Sequence, residues 1–109
     1  MSQYLIIQTQ DPFESATFDR TLKLAGDLSK AGNDVTLLLA QNGVLPARPT
    51  KASASLTALA QAGGVRVLAD RFALESRGIA ATDVLPGIGV TELDVVIDAL
   101  AAGAKVLWH

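Results

Sequence analysis

A single carboxylate stands where an apolar strand pattern stops and a helical pattern begins at once. In the stretch VRVLADRFALESRGI, residues 65–69 are typical of a strand, and a helix is predicted to begin at Asp70 and end at Gly78. In parallel α/β proteins, ligands bind at the carboxyl ends of strands. Asp70 therefore has two candidate roles, capping the helix through a backbone N–H or taking part in acid–base or binding chemistry. Capping is favoured, because no acid–base partner lies nearby in the sequence.

The other predicted strand ends supply further candidate binding residues. Arg71 is suited to pair with a carboxylate or an oxyanion, and Gly87 opens a Gly-Ile-Gly turn whose backbone amides could hold an anion. Because the carboxyl ends of parallel strands share one edge of the sheet, we expect a strand-end pocket there. Its predicted members are Asp11, Asn42, Gly43, Asp70, Arg71 and Gly87.

Nucleotide binding is disfavoured at both candidate phosphate turns. The turn at 87–89 lacks the third glycine of the dinucleotide fingerprint, and Glu92 and Asp94 would repel a phosphate there. Asp11 and Glu14 occupy the amide-rich start of the first predicted helix. We therefore predict no cofactor.

The residue types that the chain lacks exclude whole classes of chemistry. The chain has no cysteine, which removes disulfides, thiolate catalysis, persulfide carriage and cysteine-ligated metals, and its one histidine is the last residue, His109. A formal net charge of −2 argues against a general nucleic-acid surface. No apolar run approaches the ~20 residues of a membrane span, and the start lacks the basic region of a signal peptide. The sequence thus predicts a cytoplasmic protein with no nucleic-acid or membrane partner and no metal site.

Alternating strand and helix patterns must position these residues. A single domain over residues 1–109 is predicted, an α/β fold with a five-stranded, mostly parallel sheet in a three-layer α/β/α sandwich. The predicted helices span 11–32, 53–63, 70–78 and 91–103. The predicted strands span 4–9, 34–40, 65–69, 82–86 and 105–109.

The apolar content of the chain exceeds what a small core needs. Half of the residues are hydrophobic, which predicts that a subunit interface covers part of them, with Trp108 as a partly buried anchor. In the last helix an apolar stripe at helical spacing is predicted to face the core. The stripe consists of Leu93, Val96, Ile97 and Leu100.

Several stretches, in order, resemble the DsrE/DsrF/DsrH family, which includes the TusBCD sulfur-relay proteins. DPFES with LKLAGDLSKAGNDVTLLL is similar to the first helix and second strand of that family, and AQNGVL to its glycine-valine motif. GVRVLADRFALESRGI resembles the third strand and the helix that ends in Arg-Gly-Ile, and DALAAGAKVLWH the terminal strand. The resemblance covers essentially the whole chain.

The resemblance implies a role for the corner at Asp70. Sulfur-carrying members hold their persulfide cysteine after the third strand, and the alignment places Asp70 at that position. A carboxylate forms no stable persulfide, so the resemblance implies a non-catalytic subunit or small binding protein of sulfur metabolism. The implied partners are copies of this chain, or cysteine-bearing DsrE-like subunits.

Two alternatives from other classes remain open. The first is a stand-alone small-anion-binding protein or enzyme that uses Asp70, Asn42 and Arg71. The second, less favoured, is a phosphoacceptor receiver domain. Asp11 would suit its metal site, but Lys105 begins the last strand, whereas receivers place a lysine at the end of theirs.

Overall fold

The fold is built on a central five-stranded sheet. The computed structural model describes residues 2–10, 17–47, 53–62 and 64–108. The strands lie in the order β4-β3-β2-β1-β5, and all four pairings are parallel. This arrangement confirms the predicted α/β class. The strands are β1 (Gln3–Gln8), β2 (Asp34–Leu39), β3 (Val65–Asp70), β4 (Ile88–Thr91) and β5 (Lys105–Trp108).

Over the described ranges, four α-helices and two 3₁₀ segments connect the strands. The predicted capping residues of the first helix, Asp11 and Glu14, lie outside the described residues. Gly32, beyond the end of that helix, has a φ of +94°, the left-handed conformation predicted for its C-terminal cap. The helices are α1 (Thr17–Lys30), α2 (Ser53–Gln61), α3 (Arg71–Ser76) and α4 (Asp94–Ala101), and the 3₁₀ segments are Gln41–Ala47 and Ala81–Asp83.

The strand order explains why the two faces of the sheet are covered unequally. From β1 to β4 the chain steps across the sheet in one direction, so right-handed crossovers place α1, α2 and α3 on the same side. The step from β4 back to β5 reverses direction and places α4 on the other side. Within the described residues, that second face is therefore covered by one helix of eight residues.

The core on each face follows from the alternation of side chains along the strands. On the first face, Ile6, Leu37 and Val67 pack with α1 and α2 through residues such as Phe18 and Leu56. On the second face, a smaller cluster of sheet residues packs against Val95, Val96 and Ala99 of α4. The buried residues of this cluster are Leu5, Ile7 and Leu38 of the strands and Ala40, which follows β2.

The predicted fourth strand at 82–86 is wrong. Residues 81–83 form a 3₁₀ turn, and the strand is Ile88–Thr91, paired with β3 in the register Val67↔Ile88. The backbone N–H of Leu85 instead donates to the carbonyl of Ala47, at 2.8 Å. Residues 82–86 and 88–91 are both short and apolar segments, and it is the second that pairs with β3.

The predicted orientation of the last helix is also wrong in part. Of the apolar stripe, only Val96 packs against the sheet, while Leu93, Ile97 and Leu100 are exposed. A helical period shows that apolar residues share a face but does not show whether that face meets the chain's own core. Among the described residues, no helix is long and apolar enough to cross a membrane.

Candidate functional site

Asp70 stands at the carboxyl end of β3 and caps α3. Its backbone is extended, with φ −71° and ψ 123°, and its Oδ2 accepts a hydrogen bond from the backbone N–H of Ala73 at 3.1 Å. The residue is only 4% exposed. The capping role predicted from the sequence is confirmed. Strand alternation directs the side chain to the same face as Leu68, the side covered by α4.

Arg71, the first residue of α3, pairs with an acidic residue beyond β4. Its Nε donates to Oε1 of Glu92 at 2.9 Å, and both side chains are exposed. An exposed ion pair of this kind is worth about 0–1 kcal/mol. Of the two partners considered from the sequence, a carboxylate or an oxyanion, the structure shows the carboxylate.

Asn42 is joined to α3 by an arginine that the sequence analysis did not select. Arg77 donates from Nε and Nη2 to Oδ1 of Asn42, at 3.2 and 3.0 Å, and from Nη1 to the carbonyl of Ala73, at 3.1 Å. Arg77 begins the Arg-Gly-Ile segment noted above, in which Gly78 has a φ of +69° and Ile79 is buried. That segment was the available sequence signal for Arg77.

Gly43 has a packing role at the same edge. Its N–H donates to the carbonyl of Ala40 at 2.9 Å, and it is buried against the end of β1. A Cβ at this position would clash with the backbone carbonyl oxygen of Gln8 and lie 2.9 Å from its carbonyl carbon. The close approach of two backbones therefore requires glycine here.

The structure does not bring Gly87 to the predicted pocket. Because β4 begins at Ile88, Gly87 lies at the amino end of that strand, on the opposite edge of the sheet from Asp70. Its φ is +90°, and a Cβ there would lie 3.5 Å from Ala60 of α2. Asp11 lies outside the described residues. Asn42, Gly43, Asp70 and Arg71 do share the carboxyl edge.

A largely apolar cleft opens at this edge, on the side covered by α4, with a volume of about 560 Å³. We call it the strand-end cleft. Its polar members include Asp70 and Arg77, whereas Arg71 does not line it. Its apolar walls include Ile7, Phe72, Val96 and Trp108.

Large apolar side chains surround the cleft and continue along α4. Each of them is between 50% and 73% exposed. Contiguous exposed apolar area of this kind is typical of an interaction site. Of these residues, the sequence analysis predicted an interface role only for Trp108, as a partly buried anchor. We call the set the apolar surface: Phe72, Leu93, Ile97, Leu100 and Trp108.

The chemistry open to the described part of the chain is limited. Within it, no three His, Cys, Asp or Glu side chains are grouped so that they could hold a metal ion. The sequence contains no cysteine, and its one histidine, His109, lies outside the described residues. The site thus offers a buried carboxylate, an arginine and an apolar cleft, a set suited to binding.

Comparison with known proteins gives a family match for the sequence and solved structures with a similar fold. The sequence matches the model of the DsrE/DsrF-like family over residues 2–109. Protein MTH1491 from Methanobacterium thermoautotrophicum has a similar structure, with a TM-score of 0.80, 18% identity and 100% of each chain covered. The YchN protein from E. coli has a TM-score of 0.81 and 22% identity, again over 100% of each chain.

Protein BT1422 from Bacteroides thetaiotaomicron gives a TM-score of 0.78 at 22% identity, over 99% of this chain and 95% of that one. No curated protein matches the sequence. At these identities the likeness to solved structures shows the fold alone.

Proposed function

The chain belongs to the DsrE/DsrF-like family, and from this premise we propose that it is a non-catalytic subunit, or small binding protein, of a sulfur-metabolism or sulfur-relay assembly. In this proposal it acts in the cytoplasm through an oligomer, formed with copies of itself or with cysteine-bearing DsrE-like subunits. The observation that carries the proposal is the apolar surface.

The chemistry at Asp70 supports a non-catalytic role. Sulfur carriage requires a thiolate, and the sequence contains no cysteine. The position that the resemblance assigns to the persulfide cysteine holds Asp70, whose carboxylate caps α3 instead. This subunit would therefore shape a site in the assembly without carrying sulfur itself.

The apolar surface supports assembly. Leu93, Ile97 and Leu100 lie on the outward side of a helix whose other side packs on the sheet. Phe72 and Trp108 extend this surface across the strand-end cleft. Aromatic and aliphatic side chains that are half exposed or more in one chain become the buried centre of an interface when a partner covers them.

The alternative of small-anion binding or catalysis receives less support from the geometry. The guanidinium of Arg71 is paired with Glu92, and Asp70 would repel an anion in the strand-end cleft. Gly87, whose turn was the other candidate for anion binding, lies on the opposite edge of the sheet.

Sedimentation of a surface variant tests the assembly. Leu100→Glu places a charge in the apolar surface without altering the cleft lining, whereas Ala58→Glu adds the same charge to an exposed position of α2, on the other side of the sheet. We expect Leu100→Glu to dissociate the oligomer and Ala58→Glu to leave it intact, with the folded state of both checked by circular dichroism. A monomeric wild-type protein, or equal behaviour of the two variants, would refute assembly through this surface.

Native mass spectrometry of the protein purified gently from its own cells tests the partner. A stoichiometric complex with a cysteine-bearing DsrE-like subunit is the expected result for a heteromeric relay assembly. If only a homo-oligomer is found, the result supports a small binding protein that acts without a cysteine-bearing partner.

A further inference from the structure

The acidic side of the strand-end cleft has an unused hydrogen-bond acceptor. Oδ2 of Asp70 accepts the N–H of Ala73, and no hydrogen bond to Oδ1 is found among the residues that the structure describes. The residue is 4% exposed and lines the cleft, and Oδ1 is not among the fully buried unpartnered atoms, so it can be reached from the cleft. A carboxylate oxygen forms a stronger hydrogen bond with a charged donor than with a neutral one.

The basic side chain of the cleft is already engaged by neutral acceptors. Arg77 directs Nε and Nη2 to Asn42, and Nη1 to the carbonyl of Ala73. Asp70 precedes the first residue of α3 and accepts the N–H of Ala73, whereas Arg77 follows the last residue and reaches back to the carbonyl of Ala73. In a helix the N–H points toward the N-terminus and the carbonyl toward the C-terminus, so the two charges lie on opposite sides of Ala73 and the group near the start of α3 is the carboxylate.

Two exposed aromatic side chains border the same cleft. Phe72 is 73% exposed and Trp108 is 67% exposed. The faces of aromatic rings attract cations through their quadrupole. Ile7 and Val96 supply apolar walls that suit an alkyl chain. Carboxylate, aromatic rings and aliphatic walls together are the features that recognise an organic ammonium ion.

We propose that the strand-end cleft binds an organic cation, whose ammonium group donates a hydrogen bond to Oδ1 of Asp70 and whose alkyl body lies against the apolar walls. The volume of about 560 Å³ is in the range of small-molecule sites. Every residue of the site belongs to one chain, so the proposal goes beyond the proposed assembly, and a partner that covers Phe72 and Trp108 would also cover the cleft. The same ammonium chemistry is available from a free amine or from a lysine side chain of a covering subunit.

The fluorescence of Trp108 provides a direct assay, because it is the only tryptophan in the chain and it borders the cleft. The probe is n-hexylamine, which is protonated at pH 7, and 1-hexanol is its uncharged counterpart. We expect n-hexylamine to bind about 10-fold more tightly than 1-hexanol, since only the amine forms a charged hydrogen bond.

Asp70→Asn is the discriminating variant, because asparagine caps helices as well as aspartate while it removes the charge and replaces the second oxygen by an NH2 donor. We expect this variant to lose the preference for the amine while keeping its thermal stability. Glu75→Gln is the matched control, since it removes an exposed charge from the same helix outside the cleft lining and should leave amine binding unchanged.

Titration of Leu100→Glu separates the two sources of the ammonium group, because this variant is designed to dissociate the oligomer without altering the cleft lining. A response in both wild type and Leu100→Glu supports a free amine, and a response in Leu100→Glu alone supports a lysine from a covering subunit. The proposal is overturned if neither protein responds, if amine and alcohol bind equally, or if Asp70→Asn binds the amine as wild type does. Oligomer mass is measured separately, so failure of the assembly proposal would be recognised independently.

Discussion

Replacing Asp70 by alanine tests whether its main structural role is to cap α3. The variant leaves the buried N–H of Ala73 without its acceptor, and α3 has only six residues over which to compensate. Losing a helix cap costs about 1 kcal/mol, and leaving a buried donor unsatisfied costs about 1–3 kcal/mol. We expect Asp70→Ala to lower the free energy of unfolding by about 2 kcal/mol.

Thermal and urea unfolding, followed by circular dichroism, measure this loss. For a chain of 109 residues, 1 kcal/mol corresponds to roughly 4 °C in Tm, so the expected decrease is roughly 8 °C. Asp70→Asn retains a side-chain acceptor for the same N–H and should remain within about 0.5 kcal/mol of wild type. Glu75→Ala, an exposed change in the same helix, controls for general effects on α3.

The comparison between the two Asp70 variants decides the interpretation. If asparagine destabilises the protein as much as alanine does, the charge of Asp70 stabilises the fold and capping is not its main role. If alanine has no effect, the hydrogen bond to Ala73 contributes nothing measurable and the reasoning is wrong.

Two further stability predictions follow from close contacts and exposed charges. Gly43→Ala should destabilise the protein by about 3 kcal/mol, because its Cβ would meet the backbone of Gln8. Gly26→Ala in α1 should instead be neutral or stabilise the protein by up to about 1 kcal/mol, because the nearest atom lies 3.7 Å from the new Cβ and alanine favours helix. If urea unfolding shows the same loss of stability for Gly43→Ala and Gly26→Ala, the packing argument is wrong. Arg71→Gln should cost less than about 1 kcal/mol, because its pair with Glu92 is exposed, and any loss should disappear in 1 M salt. A larger loss that persists in salt would show a role beyond this ion pair.

The sequence predicted the order of elements and several of their ends, because those features depend on local signals. Strand and helix periodicities identified four of the five strands at nearly their observed positions. The cap at Asp70 and the left-handed glycine at Gly32 were recognisable because each depends on residues within one turn. The presence of Asn42, Gly43 and Asp70 at one edge followed from the shared direction of parallel strands.

The features that the sequence analysis missed depend on contacts between distant segments. The fourth strand is set by pairing with β3, which favours Ile88–Thr91 over the equally apolar 82–86. That shift moves Gly87 to the other edge of the sheet. Similarly, Arg77 becomes part of the site only because the 3₁₀ segment carries Asn42 to the end of α3.

The sequence supplied the residues of the apolar surface, and the tertiary structure determined that they are exposed. Composition alone indicated more hydrophobic residues than one small core needs, and helical spacing grouped Leu93, Val96, Ile97 and Leu100 in one stripe of the last helix. The fold decided which of them are exposed, because α4 crosses the sheet face with Val95, Val96 and Ala99 against the strands and leaves the other three outside. A helical period defines a stripe but not the partner that the stripe meets. In the part of the chain that the structure describes, the order of the strands places only α4 on that face, and the exposed part of its stripe is turned outward.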